Sequence, residues 1–275
     1  MVGNCEVKKT FGFCMKFVRY APIFWQLLKT EFTIFRETFF DKLLNSFIWT
    51  STTVAVTSYI LPVFGLSVEY GALLVAGVVV GSAFSEAYPQ VSNFIADLED
   101  EQHINYLLTL PLPGWLLMVK CAFVCAFNAF IMGVFTLMSS KLILFNRFSL
   151  ENISIGKLIV AFFGYGLFFG FFTFFMISLI KSMHTMENTF MRIMYPLWFL
   201  GGFQFSWTAM HSFSPALGYV LLLDPYIYAM EGMRGAILGQ SGFLPFWLCM
   251  PLLFGFTLLF GWWGIVRLKK RLDFV

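Results

Sequence analysis

Glu231 and Arg234 stand three residues apart, a spacing that sets a carboxylate and a guanidinium on one helix face, where they can pair. Such a pair either holds a structural segment together or meets a charged substrate. Glu86 lies in an otherwise apolar stretch and is followed by Pro89 and Gln90. An ionisable group in that setting calls for a partner or a wet cavity. It can line a path, anchor a neighbouring helix through Arg36 or Lys42, or reach solvent at headgroup depth. Asp97, Glu99, Asp100 and Glu101 form an acidic cluster directly after that stretch. Gly239-Gln240-Ser241-Gly242 sets a serine between glycines, but nucleophilic catalysis needs a base within hydrogen-bond reach. The three histidines are His103, His184 and His211, and none lies in the apolar run after Ser241. Cys5, Cys14, Cys121, Cys125 and Cys249 form no Cys-x-x-Cys and no Cys/His ligand set, which predicts neither a disulfide framework nor a metal. Gly156-Lys157 is followed by Leu158 and has no glycine five residues earlier, so it is not a phosphate-cradling loop.

The elements that must position these residues are set by composition. Of 275 residues, 59% are hydrophobic, 20% aromatic and only 12% charged, against about 25% charged in a soluble domain. The solvent for most of the chain is therefore lipid. A net charge of +3, mixed with Asp and Glu, excludes nucleic acid as a partner. Runs long enough to cross about 30 Å of hydrocarbon fall near Leu43–Phe64, Tyr70–Tyr88, Trp115–Phe145, Leu158–Ile180, Phe190–Phe205 and Leu244–Val266. Ahead of them, Phe24, Leu28, Phe32, Phe35 and Phe39 recur at helical spacing, with Lys29, Thr33, Arg36 and Glu37 opposite. That pattern predicts a helix lying along the cytoplasmic membrane surface. The first forty residues lack a signal peptide's short apolar stretch and cleavage site, which predicts retained structure. Ser206 to Gly242 is apolar but broken by Pro215, Pro225 and several glycines, which suits short re-entrant helices and an interfacial helix.

The expected fold is an all-α integral membrane protein with six transmembrane helices. An N-terminal interfacial amphipathic helix precedes them, and a re-entrant outer hairpin lies between the fifth and sixth. Residues 1–42 form a cytoplasmic segment, 43–266 the transmembrane domain and 267–275 a basic cytoplasmic tail. With both termini inside, fourteen Lys and Arg fall on the cytoplasmic side and four outside, as retention of positive charge in the cytoplasm requires. Two Gly-x-x-x-Gly patterns, Gly77–Gly81 and Gly166–Gly170, allow close helix approach within one chain or across a dimer face.

The segment Asp97-Leu98-Glu99-Asp100-Glu101 through Asn105-Tyr106-Leu107-Leu108-Thr109-Leu110-Pro111-Leu112-Pro113, continuing to Lys120, resembles the coupling loop of ABC-2-type transporter permeases. A second match follows in Leu200-Gly201-Gly202-Phe203, then Leu223-Asp224-Pro225-Tyr226 and Glu231-Gly232-Met233-Arg234. The motifs stand in family order over nearly the whole chain, closer to the drug- or lipid-export branch than to the polysaccharide branch. Asp224 stands where Asn is usual, and the core of the loop reads His103-Ile104-Asn105-Tyr106.

The resemblance implies the permease subunit of an ATP-driven exporter in a bacterial inner membrane, moving an amphipathic or lipid-like substrate by alternating access. Its partners would be a separate ABC ATPase, a second permease subunit in a homodimer, and membrane lipid. The chain itself would bind no cofactor and catalyse no reaction, and the ATPase would use ATP and Mg. Asp97, Glu99, Asp100, Glu101, Tyr106, Leu107 and Pro111 would couple to the ATPase. Glu86, Trp198, Phe203 and Phe205 would lie at the translocation path or gate, unless the aromatic residues serve lipid or core packing. Glu231 and Arg234 would be an outer structural pair. An ion-coupled transporter or channel is the alternative, and a rhomboid-type intramembrane protease built on Ser241 is another.

Overall fold

The computed structural model describes residues 3–65, 67, 69–97, 99, 114–145 and 153–272, and among them every regular element is helical. The first helix, α1, runs from Gly3 to Ala55 and continues through a π-helical turn at Val56–Ile60 and a 3-10 turn at Leu61–Phe64. Its length follows from the sequence. Between Pro22 and Pro62 there is no glycine or proline to break it. Pro62 then opens the 3-10 turn, and Gly65, at φ +96°, ends it in a left-handed conformation that glycine adopts without strain.

Four more long helices follow: α2 (Glu69–Ala96), α3 (Gly114–Leu144), α4 (Ile155–Leu179) and, last in the chain, α10 (Phe246–Leu272). Five described helices are long and apolar enough to cross a membrane, over Pro22–Phe64, Tyr70–Ala96, Ala122–Leu144, Ile155–Leu179 and Phe246–Leu268. The chain is a multi-pass membrane protein, all-helical among the described residues. Four buried hydroxyls that would be orphaned in lipid recover a bond from their own helix: Thr57 donates to Thr53, Ser140 to Thr136, Thr173 to Phe169 and Thr257 to Leu253.

Between α4 and α10 lie short pieces. Met183–Phe203 is one helical run built of α5 (Met183–Thr189), a π turn at Phe190–Met194, α6 (Tyr195–Trp198) and a second π turn at Phe199–Phe203. It starts earlier than the Phe190–Phe205 span expected from hydropathy, because Ser182 and Thr185 form a capping box ahead of the apolar residues. Then come α7 (Trp207–Phe213), α8 (Pro215–Leu221) and α9 (Pro225–Ile237).

Side-chain contacts fix the directions of the long elements. Lys42 meets Glu86 and Ser58 meets Gly71, so α1 and α2 are antiparallel. Glu31 meets Lys120, Ser46 meets Thr136 at 3.1 Å and the Tyr59 hydroxyl donates to the Ile143 carbonyl at 2.8 Å, so α1 and α3 are parallel. Ala122 faces Gly170 and Ala126 faces Gly166, so α3 and α4 are antiparallel. A Cβ on Gly170 would fall 2.7 Å from the Ala122 carbonyl oxygen, which makes both glycines necessary to that approach. Gly261 faces Phe171 and Gly264 faces Phe175, so α4 and α10 are parallel. The 183–203 run is antiparallel to α2: Phe190 meets Tyr88, Trp198 meets Phe84 and Phe203 meets Gly77. Both Gly-x-x-x-Gly patterns are thus used within the chain.

The surface helix expected over Ile23–Asp41 and the first span belong to one continuous helix. Part of the apolar stripe that suggested a surface helix packs on α3, with Phe32 and Phe35 edge-on to Phe127 at 4.7 and 6.2 Å. Leu28, one turn earlier, is also buried.

Candidate functional site

The most strongly determined polar site lies where the 183–203 run ends. Gly202 takes φ +84°, so the helix stops there and leaves carbonyls without helical partners. Arg234 of α9 supplies the donors. Its Nη1 donates to the Phe205 carbonyl at 2.8 Å, and its Nη2 donates to the carbonyls of Gly202 and Phe203, the latter at 3.3 Å. Nη1 also donates to Glu231 Oε1 at 3.0 Å, and both side chains are completely buried.

Glu231 in turn accepts from two backbone N–H groups, those of Trp207 at 2.9 Å and Leu244 at 3.0 Å. A cation therefore closes the carbonyl end of one helix, and an anion closes the N–H end of the next. Each sign matches the partial charge at the helix end it meets. Burial lowers the Arg234 pKa from its ordinary value, and the Glu231 carboxylate opposes that shift.

Local sequence places this pair. Asp224 caps α9, its Oδ1 accepting from the Tyr226 N–H at 2.9 Å, and Pro225 fits the first helical position. Tyr226 fills the space beside Gly201, where a Cβ would lie 2.3 Å from the tyrosine Cβ. Its ring meets Phe168, Phe169 and Phe172 edge-on at 5.6, 5.1 and 5.7 Å. Glycine at 201 is what lets α9 approach closely enough for Arg234 to reach the broken helix. Burial raises the Asp224 carboxyl to about 7, against the opposing pull of its bond to Tyr226, and its Oδ2 has no hydrogen-bond partner.

The rest of the segment is knitted to the same centre. The Trp207 indole N–H donates to the Gly218 carbonyl at 2.8 Å, and its ring stacks on His211 at 4.7 Å. Thr208 donates to the Gly242 carbonyl at 2.6 Å. Gln240 donates to the Leu244 carbonyl at 2.7 Å and accepts from the Phe246 N–H at 3.1 Å. Ser241 lies exposed in this turn between two left-handed glycines, Gly239 and Gly242.

The aromatic residues assigned to a path or gate divide. Trp198 is buried, stacked on Phe84 at 4.8 Å and against Phe203 at 4.5 Å. Phe203 is buried too, while Phe205 is half-buried and contributes its carbonyl to Arg234.

At the opposite end of the bundle, Glu86 pairs with Lys42, one of the two cations its position allowed. Lys120, 3% exposed, reaches Glu31 at 2.6 Å. Sequence reasoning left Glu31 unmarked, because it lies far from Lys120 in the chain and only the parallel packing of α1 and α3 joins them. Both oxygens of Glu99 accept from the Met183 N–H at 3.3 Å. Asp97 is also described, whereas Asp100, Glu101, Tyr106, Leu107 and Pro111 lie outside the described residues. No group of three or more potential metal ligands occurs among the described residues.

Comparison of the chain with protein-family models, with curated proteins and with solved structures found no match.

Proposed function

We propose that the chain is the membrane-spanning permease subunit of an ATP-driven exporter of the ABC-2 type. It moves an amphipathic or lipid-like substrate by alternating access, and a separate ATPase subunit handles ATP and Mg. The observation that carries the reading is the order of two motifs on one frame of alternating helices. The acidic, proline-ended stretch Asp97–Pro113 joins α2 to α3, and Gly201-Gly202 with the Asp224–Arg234 segment follows α4.

In this reading the protein crosses the membrane six times. Because α4 and α10 run in the same direction, the chain between them must return to the end at which α4 begins. The Met183–Phe203 run, roughly 30 Å long, makes that return as the fifth crossing. The hairpin α7–α8 then dips re-entrantly from the outer side, and both termini are cytoplasmic. A second copy of the chain completes the translocation path.

Co-expression with an ABC ATPase encoded beside this chain tests the proposal. The expected result is a complex that co-purifies and hydrolyses ATP with vanadate sensitivity. Failure to associate with an ATPase, with transport persisting after ATP depletion, overturns it. Replacing Glu101 and Tyr106 together is expected to detach or uncouple the ATPase while leaving the helices folded, and an unaltered complex with unaltered transport would place the coupling contact elsewhere.

A further inference from the structure

The Met183–Phe203 run is held at each end by a charged side chain from a different part of the chain. At its start the Glu99 carboxylate, carried at the end of α2 where the acidic stretch begins, accepts from the Met183 N–H. At its finish the Arg234 guanidinium takes the carbonyls of Gly202, Phe203 and Phe205. The signs are those that helix ends favour, an anion at the N–H end and a cation at the carbonyl end.

Between the two grips the run packs closely along α2. Gly77 and Gly81 face Phe203 and Trp198, Trp198 stacks flat on Phe84, and Phe190 meets Tyr88 edge-on. Its two π turns are a kind of irregularity that concentrates at functional positions. Past Gly202, the segment 206–246 is tied to the same charge pair through Trp207 and Leu244 and to itself through Thr208 and Gln240.

We infer that Met183–Phe203 is the transmission rod between Glu99, just past α2, and the segment 206–246, with Glu99 the positioning residue at one end and Arg234 the positioning residue at the other. A displacement of Glu99 pulls on Met183, the rod moves as one piece, and Arg234 and Glu231 carry the shift to the start of α7 and to Leu244 ahead of α10. The inference rests on the exporter reading for the origin of the push. The linkage itself is a property of this chain alone.

The test uses the full-length chain in lipid nanodiscs without any ATPase. Spin labels are placed at the exposed positions Leu200, at the far end of the rod, and Ile159 on α4. Glu99→Gln is expected to shift and broaden the Leu200–Ile159 distance distribution, and Glu99→Asp to restore it. The double exchange Glu231→Arg with Arg234→Glu gives a second arm. An ordinary ion pair tolerates reversal, whereas here the reversed charges face backbone groups of the wrong polarity, so the same broadening is expected. A Leu200–Ile159 distribution that is unchanged in Glu99→Gln overturns the inference, as does full rescue by the charge exchange. Either result stands whether or not an ATPase binds, so failure of the linkage is distinguishable from failure of the exporter reading.

Discussion

The protein carries two kinds of charge pair, and they differ in what surrounds them. Lys42–Glu86 and Lys120–Glu31 join long helices side by side and are only partly buried, with Lys120 enclosed but Glu31 about one-third exposed. Arg234–Glu231 is wholly buried and spends most of its hydrogen-bonding capacity on backbone groups. The first kind pins helices that hydrophobic packing already aligns. The second compensates a defect, the broken helix at Gly202, whose exposed carbonyls and N–H groups would otherwise be buried unpaired at a cost of several kcal/mol each in lipid. The wholly buried pair is therefore placed where the backbone fails, and the partly buried pairs where helices meet.

The sharpest way to break this comparison is at Arg234. Arg234→Met leaves the Glu231 carboxylate buried without its cation and is expected to cost about 3–5 kcal/mol, read as loss of monodisperse protein or a large drop in melting temperature in detergent. Lys120→Met is expected to cost less, about 1–2 kcal/mol, because its partner Glu31 is only partly buried. Should the two variants melt alike, the distinction drawn here is wrong.

Asp224 sharpens the comparison through pH. Its folded-state pKa, raised to about 7 from an ordinary 3.8, means that the folded protein holds a proton which the unfolded chain releases. Stability should therefore fall as pH rises from the ordinary aspartate value toward 7 and level off above it. Asp224→Asn keeps the cap and should flatten that profile, whereas Asp224→Ala removes the cap at a cost of about 1 kcal/mol. Thermal melting across this range, for the native chain and both variants, separates the outcomes. The smallest effect is expected at Lys42: Lys42→Met should cost roughly 0.5–1 kcal/mol and leave the remaining contacts intact, which melting of that variant checks.

Much of the architecture is legible along the chain because membrane residence depends on run length and composition, both local properties. The long apolar stretches, the break after Phe205 and the Glu231/Arg234 spacing are all visible in the sequence. The continuity of α1 is less so. The spacing of Phe24, Leu28, Phe32, Phe35 and Phe39 is the same for a helix on a membrane surface and for one packed on a neighbour, and only the fold shows Phe32 and Phe35 against Phe127 of α3. Ser241, flagged by its flanking glycines, lies in an exposed turn that Gln240 and Thr208 hold in place. The glycines there serve the backbone, at φ +96° and +83°.

By itself, the sequence determined that this protein lives in lipid, that it is helical throughout its long apolar runs, and that a carboxylate and a guanidinium share a helix face near residue 231. Those facts follow from transfer free energy and from the 3.6-residue repeat, which act within a few turns. Tertiary structure alone decided that Glu86 pairs with Lys42 rather than Arg36, that Lys120 reaches Glu31, and that Arg234 closes a helix ending some thirty residues upstream. Each of those pairings depends on which helices lie side by side and at what height. Glycine and aromatic contacts such as Gly170 on Ala122 and Tyr226 on Gly201 set that arrangement only once the chain has folded.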